Sequence, residues 1–219
     1  MKAMLYADWL NFRQSIRSML FILVVFAFAA FAWSGPMFFI MIVAMLSILL
    51  PATLCGSDQA YGWDKLSLSL PILRHEVVRS KYLMGLLVNL TLFALAVAMT
   101  VVYSLVDPST SMIENVLSLF GGELISLLLM GLMFAVTFKF GVEKALYILI
   151  GVVWIPILAM AGIVKFGIIP GIVDTFKQGF NQLEAAPIGL LMIVALLVCF
   201  AVYAISYAIS VRIYQKKEL

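Results

Sequence analysis

The sequence predicts an all-α, polytopic membrane protein with six transmembrane helices, and three observations carry that prediction. Hydrophobic residues fill 65% of the 219 positions and charged residues only 11%, whereas soluble domains run near half apolar and a quarter charged. Six apolar stretches lie at roughly 16–33, 37–55, 83–105, 120–140, 145–163 and 188–210, each close to the ~20 residues a helix needs to cross the hydrocarbon. Helices are favoured there because lipid offers no partner to an open backbone hydrogen bond. The third observation is charge placement. With the N-terminus inside, only Lys165 and Lys177 of the fourteen Lys and Arg residues fall on the outer side, so both termini are predicted to be cytoplasmic.

The whole chain, 1–219, reads as a single transmembrane domain. Residues 1–15 precede the first span. Leu5, Trp9, Phe12 and Ile16 recur at helical spacing, with Lys2, Arg13 and Arg17 among polar neighbours. That pattern predicts a short amphipathic helix lying in the cytoplasmic interface. Ala30-Phe31-Ala32 imitates a signal-peptide cleavage site. The long apolar run and the amphipathic stretch before it argue for a retained first span. Ser34-Gly35-Pro36 turns the chain so that spans one and two form a hairpin. Asp107-Pro108-Ser109 ends the third span, and Phe140 to Lys144 joins the fourth to the fifth. Val164 to Pro187 is half apolar and broken by Gly167, Pro170, Gly171 and Gly179. It is predicted to lie outside the cell and to dip into the outer leaflet as a re-entrant segment.

Several chemistries are excluded by missing residues. The only histidine, His75, lies in a cytoplasmic loop and is followed by Glu-Val-Val-Arg, so H-E-x-x-H is incomplete. No G-x-S-x-G serine occurs, and no G-x-x-x-x-G-K-[ST] run exists to bind nucleotide. Cys55 and Cys199 sit in apolar runs without metal-ligand spacing and read as buried free thiols. A net charge of +3 is too slight for nucleic-acid binding. The chain is therefore predicted to be no enzyme by itself and to bind no cofactor or metal. Glu123, after Gly121-Gly122, is read as a turn deep at the outer end of the fourth span. There it is either favoured by the helix dipole or part of a translocation path.

The longest polar interruption, residues 57–82, is the candidate functional segment. Wound as a helix, Ser57 to Leu70 puts Trp63, Leu66 and Leu70 on one face and Asp58, Tyr61, Lys65 and Ser69 on the other. The apolar face would rest on the membrane and present an acid, a base and an aromatic ring to the cytosol. Pro71 breaks the direction and suits the first turn of a new helix running into the third span. Arg74 and Lys81 share one face of it, and Lys81-Tyr82 is placed at the membrane boundary as a snorkelling cation and an interfacial ring.

The run Leu70-Pro71-Ile72-Leu73-Arg74-His75-Glu76-Val77-Val78-Arg79-Ser80-Lys81-Tyr82-Leu83 resembles the L-P-I-S-R-x-x-I-V-x-S-K-Y-L segment of the permease subunits of small bacterial type-2 ABC exporters. Leu73 stands where that pattern has a small polar residue, and Asp58 where a Glu is common. The resemblance implies a six-span subunit of the plasma membrane that works as a dimer with a second copy or a homologue. It implies a separate ABC ATPase that holds ATP and Mg. It also implies that the segment before Pro71 is a coupling helix docked on that ATPase, so that Asp58, Tyr61, Trp63, Asp64, Lys65, Leu70, Pro71, Arg74 and Lys81 form the coupling site. Cargo would be amphipathic or hydrophobic, such as a peptide, lipid or drug-like molecule, and membrane lipids would surround the chain. Two other classes share the architecture: a six-span carrier driven by an ion gradient, and a peptide-binding immunity or scaffold protein. Transport in liposomes without an ATPase marks the former; binding without nucleotide-dependent movement marks the latter.

Overall fold

The computed structural model describes residues 37–60, 74–106, 112–166 and 188–216, together with Tyr6, residues 8–10, Phe12, Arg13, Phe21, Ile22, Val24, Val25 and Phe28. Five long helices result: α1 Met37–Ala60, α2 Arg74–Val106, α3 Met112–Phe140, α4 Val142–Phe166 and α5 Ile188–Gln215. The residues described before α1 are helical as well. No strand occurs among the described residues. By length and composition three stretches can cross a membrane, Arg74–Leu105, Glu114–Phe140 and Leu190–Gln215, and Ile42–Asp58 is a shorter apolar helix. The chain is thus a polytopic helical membrane protein.

Helix α3 is central, packing against α1, α2, α4 and α5. Its inner face supplies Leu119, Leu127, Met130 and Phe134 to one core that also takes Leu46 and Leu50 from α1 and Val78, Tyr82 and Val88 from α2. Outward, α4 and α5 expose Tyr147, Trp154, Ile155, Leu158, Ile193 and Leu197. A rim this apolar is stable only with lipid or protein against it.

Helix boundaries depart from the predicted spans in instructive ways. The 24-residue α1 continues to Ala60, so Ser57 and Asp58 belong to its last turns rather than to a separate surface helix. The 33-residue α2 starts at Arg74 and runs unbroken to Val106. At 1.5 Å per residue it measures about 50 Å, well beyond a ~30 Å hydrocarbon core. The predicted Phe140–Lys144 link shrinks to one residue. Gly141 takes a φ of 85°, its N–H bonds Thr137 O at 2.9 Å, and its own carbonyl accepts Ala145 N–H at 3.1 Å. One glycine both closes α3 and opens α4, because only a residue without Cβ adopts that backbone cheaply. Residues 61–73 and 167–187 of the polar loop and the re-entrant segment lie outside the described residues.

Candidate functional site

The S-K-Y tripeptide near the start of α2 contributes three consecutive buried polar side chains: Ser80 and Lys81 both reach Asp8, Lys81 also reaches the end of α1, and Tyr82 turns to α5. Ser80 Oγ donates to Asp8 Oδ2 at 2.7 Å. Lys81 Nζ lies 3.3 Å from Asp8 Oδ1, 2.5 Å from Asp58 Oδ2 and 3.1 Å from Leu54 O. An ammonium has three hydrogens, and these three acceptors account for all of them. Asp8, Asp58 and Lys81 are each under a tenth exposed. In so dry a place their attraction is barely screened, and neither acid is tolerable without Lys81. The cluster ties the N-terminal helix, the end of α1 and the start of α2 into one bolt.

Tyr82 continues the seam on the other side. Ser206 Oγ spends its one hydrogen on Gly131 O at 2.5 Å, so at its 2.9 Å contact with Tyr82 Oη it accepts. Tyr82 Oη, having donated there, accepts from Ser210 Oγ at 2.7 Å. The result is a directed chain from Ser210 through Tyr82 and Ser206 to the α3 backbone. Tyr203 Oη donates to Tyr82 O at 2.9 Å, and the Tyr82 ring stacks on Phe134 with centroids 4.6 Å apart. Gly131 permits this approach: a Cβ there would lie 3.1 Å from Tyr203 Cδ2. Tyr82→Phe removes a hydroxyl used twice and is expected to cost about 1–2 kcal/mol, read as a lower unfolding midpoint in detergent with the helical signal retained.

At the end of the bundle where α2 begins, Arg74 Nη1 donates to Gln215 O at 2.7 Å. A cation on the last carbonyls of α5 satisfies an orphan acceptor and the helix dipole together. Arg74 and Lys81 therefore serve different helices although seven residues apart.

These placements correct three expectations. Asp58 does not face the cytosol; the extra turns of α1 carry it inward, where Lys81 neutralises it. Lys81 does not snorkel and Tyr82 is not an interfacial anchor, because α5 and the N-terminal helix cover them. Glu123 is not at a helix end. Helix α3 begins at Met112, so Glu123 stands eleven residues, or about 16 Å, inside it, and it is 5% exposed. Tyr61, Trp63, Asp64, Lys65, Leu70 and Pro71 lie outside the described residues. Cys55 and Cys199 are buried, as expected.

Sequence reasoning missed Asp8, which is the lone acid in its stretch and sits four residues before Phe12 on one helical face. Phe12 is buried as well, while Tyr6, Trp9 and Leu10 are exposed. The spacing pointed to an inward face, but the apolar residues drew attention to the outward one.

The bolt holds Asp58 and Lys81, which stand near the two ends of the polar interval 57–82 in sequence, against each other. Comparison with curated proteins and with solved structures found no match. A family model described as ABC-2 family transporter protein matches residues 3–215. That match takes in every described helix, the bolt and the interval between α1 and α2, and the chain accordingly belongs to the ABC-2 family of transporters, as a membrane subunit.

Proposed function

We propose that this chain is the transmembrane half of an ATP-driven exporter in a bacterial plasma membrane, with six spans and both termini in the cytosol. Two copies, or one copy and a homologue, enclose the path. Separate ABC ATPase subunits hold ATP and Mg and close on them. The observation that carries the reading is the family match over residues 3–215.

Coupling requires that ATPase closure favour one arrangement of the helices over another. In this proposal Asp64 and Lys65, with Tyr61, Trp63, Leu70 and Pro71, make the docking surface, and the Asp8–Asp58–Lys81 bolt transmits its movement. Arg74 and Lys81 act behind the surface, on α5 and α1 respectively. The apolar character of the chain suits an amphipathic or hydrophobic cargo. The test is co-expression with the P-loop ATPase that co-purifies with it. Reversing the charges of Asp64 and Lys65 together is expected to lower cargo-stimulated ATP hydrolysis at least several-fold, with the unfolding midpoint unchanged. Undiminished coupling in that variant removes the docking assignment.

A further inference from the structure

A second polar cluster lies halfway along the bundle, far from the bolt, where α1, α2 and α3 meet. Ser47, Asn89 and Ser126 are fully buried and Glu123 nearly so. Asn89 Nδ2 hydrogen-bonds Ser47 Oγ and, at 3.4 Å, Ser126 Oγ. Ser126 Oγ in turn is 2.9 Å from Glu123 O and 3.2 Å from Glu123 Oε2.

Counting hydrogens shows what this arrangement lacks. The Asn89 amide has two and spends both on hydroxyls. Ser126 has one, divided between two oxygens of Glu123. Asn89 Oδ1 and Glu123 Oε1 are buried without a hydrogen-bond partner among the described residues. The neighbouring backbone adds a third acceptor: Pro51, inside α1, has no N–H to give to Ser47 O, its i−4 carbonyl. Three open acceptors, one of them on a carboxyl, are thus gathered at a depth where each is costly. A water supplies hydrogens but no charge.

The geometry points to a binding site for one monovalent cation, a proton or a sodium-sized ion, formed by Ser47, Asn89, Ser126 and Glu123 inside a single chain. Either species neutralises the carboxylate and offers the open oxygens what they lack. Oxygen donors that include a carbonyl freed from its helix are what small hard cations take in membrane bundles. The site rests on the bundle alone and does not depend on the docking of an ATPase.

No described charge competes with Glu123. On α1, Asp58 is eleven residues beyond Ser47 and held by Lys81. On α2, Lys81 and Tyr82 are two turns before Asn89, and Tyr103 is four turns after it. Glu114 lies nine residues earlier on α3, and Glu143 and Lys144 open α4 at the opposite end. From α5, Cys199 Sγ donates to Leu124 O at 3.7 Å.

The experiment compares melting temperatures of the purified full chain in lipid nanodiscs, wild type against Glu123→Gln. One series replaces choline chloride by sodium chloride at constant ionic strength; the other lowers pH without sodium. A stabilisation by sodium that is lost in Glu123→Gln identifies an ion site. A stabilisation by acid that is lost in Glu123→Gln, together with an infrared carbonyl band of a neutral carboxyl missing from the variant, identifies a proton site. Ser126→Ala keeps the charge and must displace the midpoint of whichever titration is seen. Parallel responses of wild type and Glu123→Gln in both series, or an unmoved midpoint in Ser126→Ala, overturn the site.

Discussion

Lys81→Met is expected to be the most damaging single substitution in the described part of this protein. The methionine fills the volume, but it leaves Asp8 and Asp58 side by side, buried and uncompensated. Breaking a buried ion pair from one side costs about 3–5 kcal/mol, and here two acids lose their cation at once. Three segments part company in consequence: the N-terminal helix, the end of α1 and the start of α2. The measurement is folded yield after detergent extraction, with the unfolding midpoint of whatever survives. Asp8→Asn is expected to be much milder, since Lys81 keeps Asp58 and an asparagine oxygen still accepts from Ser80. Adding Asp58→Asn and Asp8→Asn to Lys81→Met should recover a large part of the loss. If the single Lys81 variant folds as well as wild type, the bolt has no structural weight.

The second large effect is predicted at Phe134, which has no exposed surface. Its ring stacks on Tyr82 and fills the space left by Gly85, where a Cβ would lie 2.8 Å from Phe134 Cε2. Phe134→Ala opens a cavity under Tyr82 at a cost of about 3–5 kcal/mol. The neighbouring glycine gives this a sharper test. Gly85→Ala in wild type drives a methyl into the ring and should destabilise by about 1–3 kcal/mol. In the Phe134→Ala background the same methyl enters vacated space and adds helix propensity of up to about 1 kcal/mol. The sign of Gly85→Ala is therefore expected to reverse between the two backgrounds, read as opposite shifts of the unfolding midpoint.

Much of the fold was legible because a membrane reduces the alternatives. Long apolar runs at 83–105, 120–140 and 188–210 can be little else, and each falls within an observed helix. The ends were less legible. The fourth apolar stretch begins near residue 120, yet α3 starts at Met112, because the helix continues through two less apolar turns before it. That one misreading moved Glu123 from the middle of a helix to its tip.

The motif around Ser80-Lys81-Tyr82 was legible as a pattern and misleading as a location. Positive charge next to a span predicts a cytosolic flank, and nothing local distinguishes a flanking lysine from one capped by two acids. Asp8 is 73 residues away in sequence and Asp58 arrives from another helix. Pairings that distant are fixed by packing, and periodicity does not encode them. Asn89, the one amide in its span, was the available signal for the inner cluster, because an unpaired amide is not left in lipid.

The fixation of Tyr82 makes α2 a lever. Its ring is stacked, its hydroxyl is committed twice and its carbonyl is bonded, so rotation of α2 about its axis would break all of these contacts at once. From Tyr82 back to Arg74 is eight residues, about 12 Å, and forward to Val106 is twenty-four, about 36 Å. A tilt pivoting on Tyr82 would enlarge a displacement at the Arg74 end about threefold at the Val106 end.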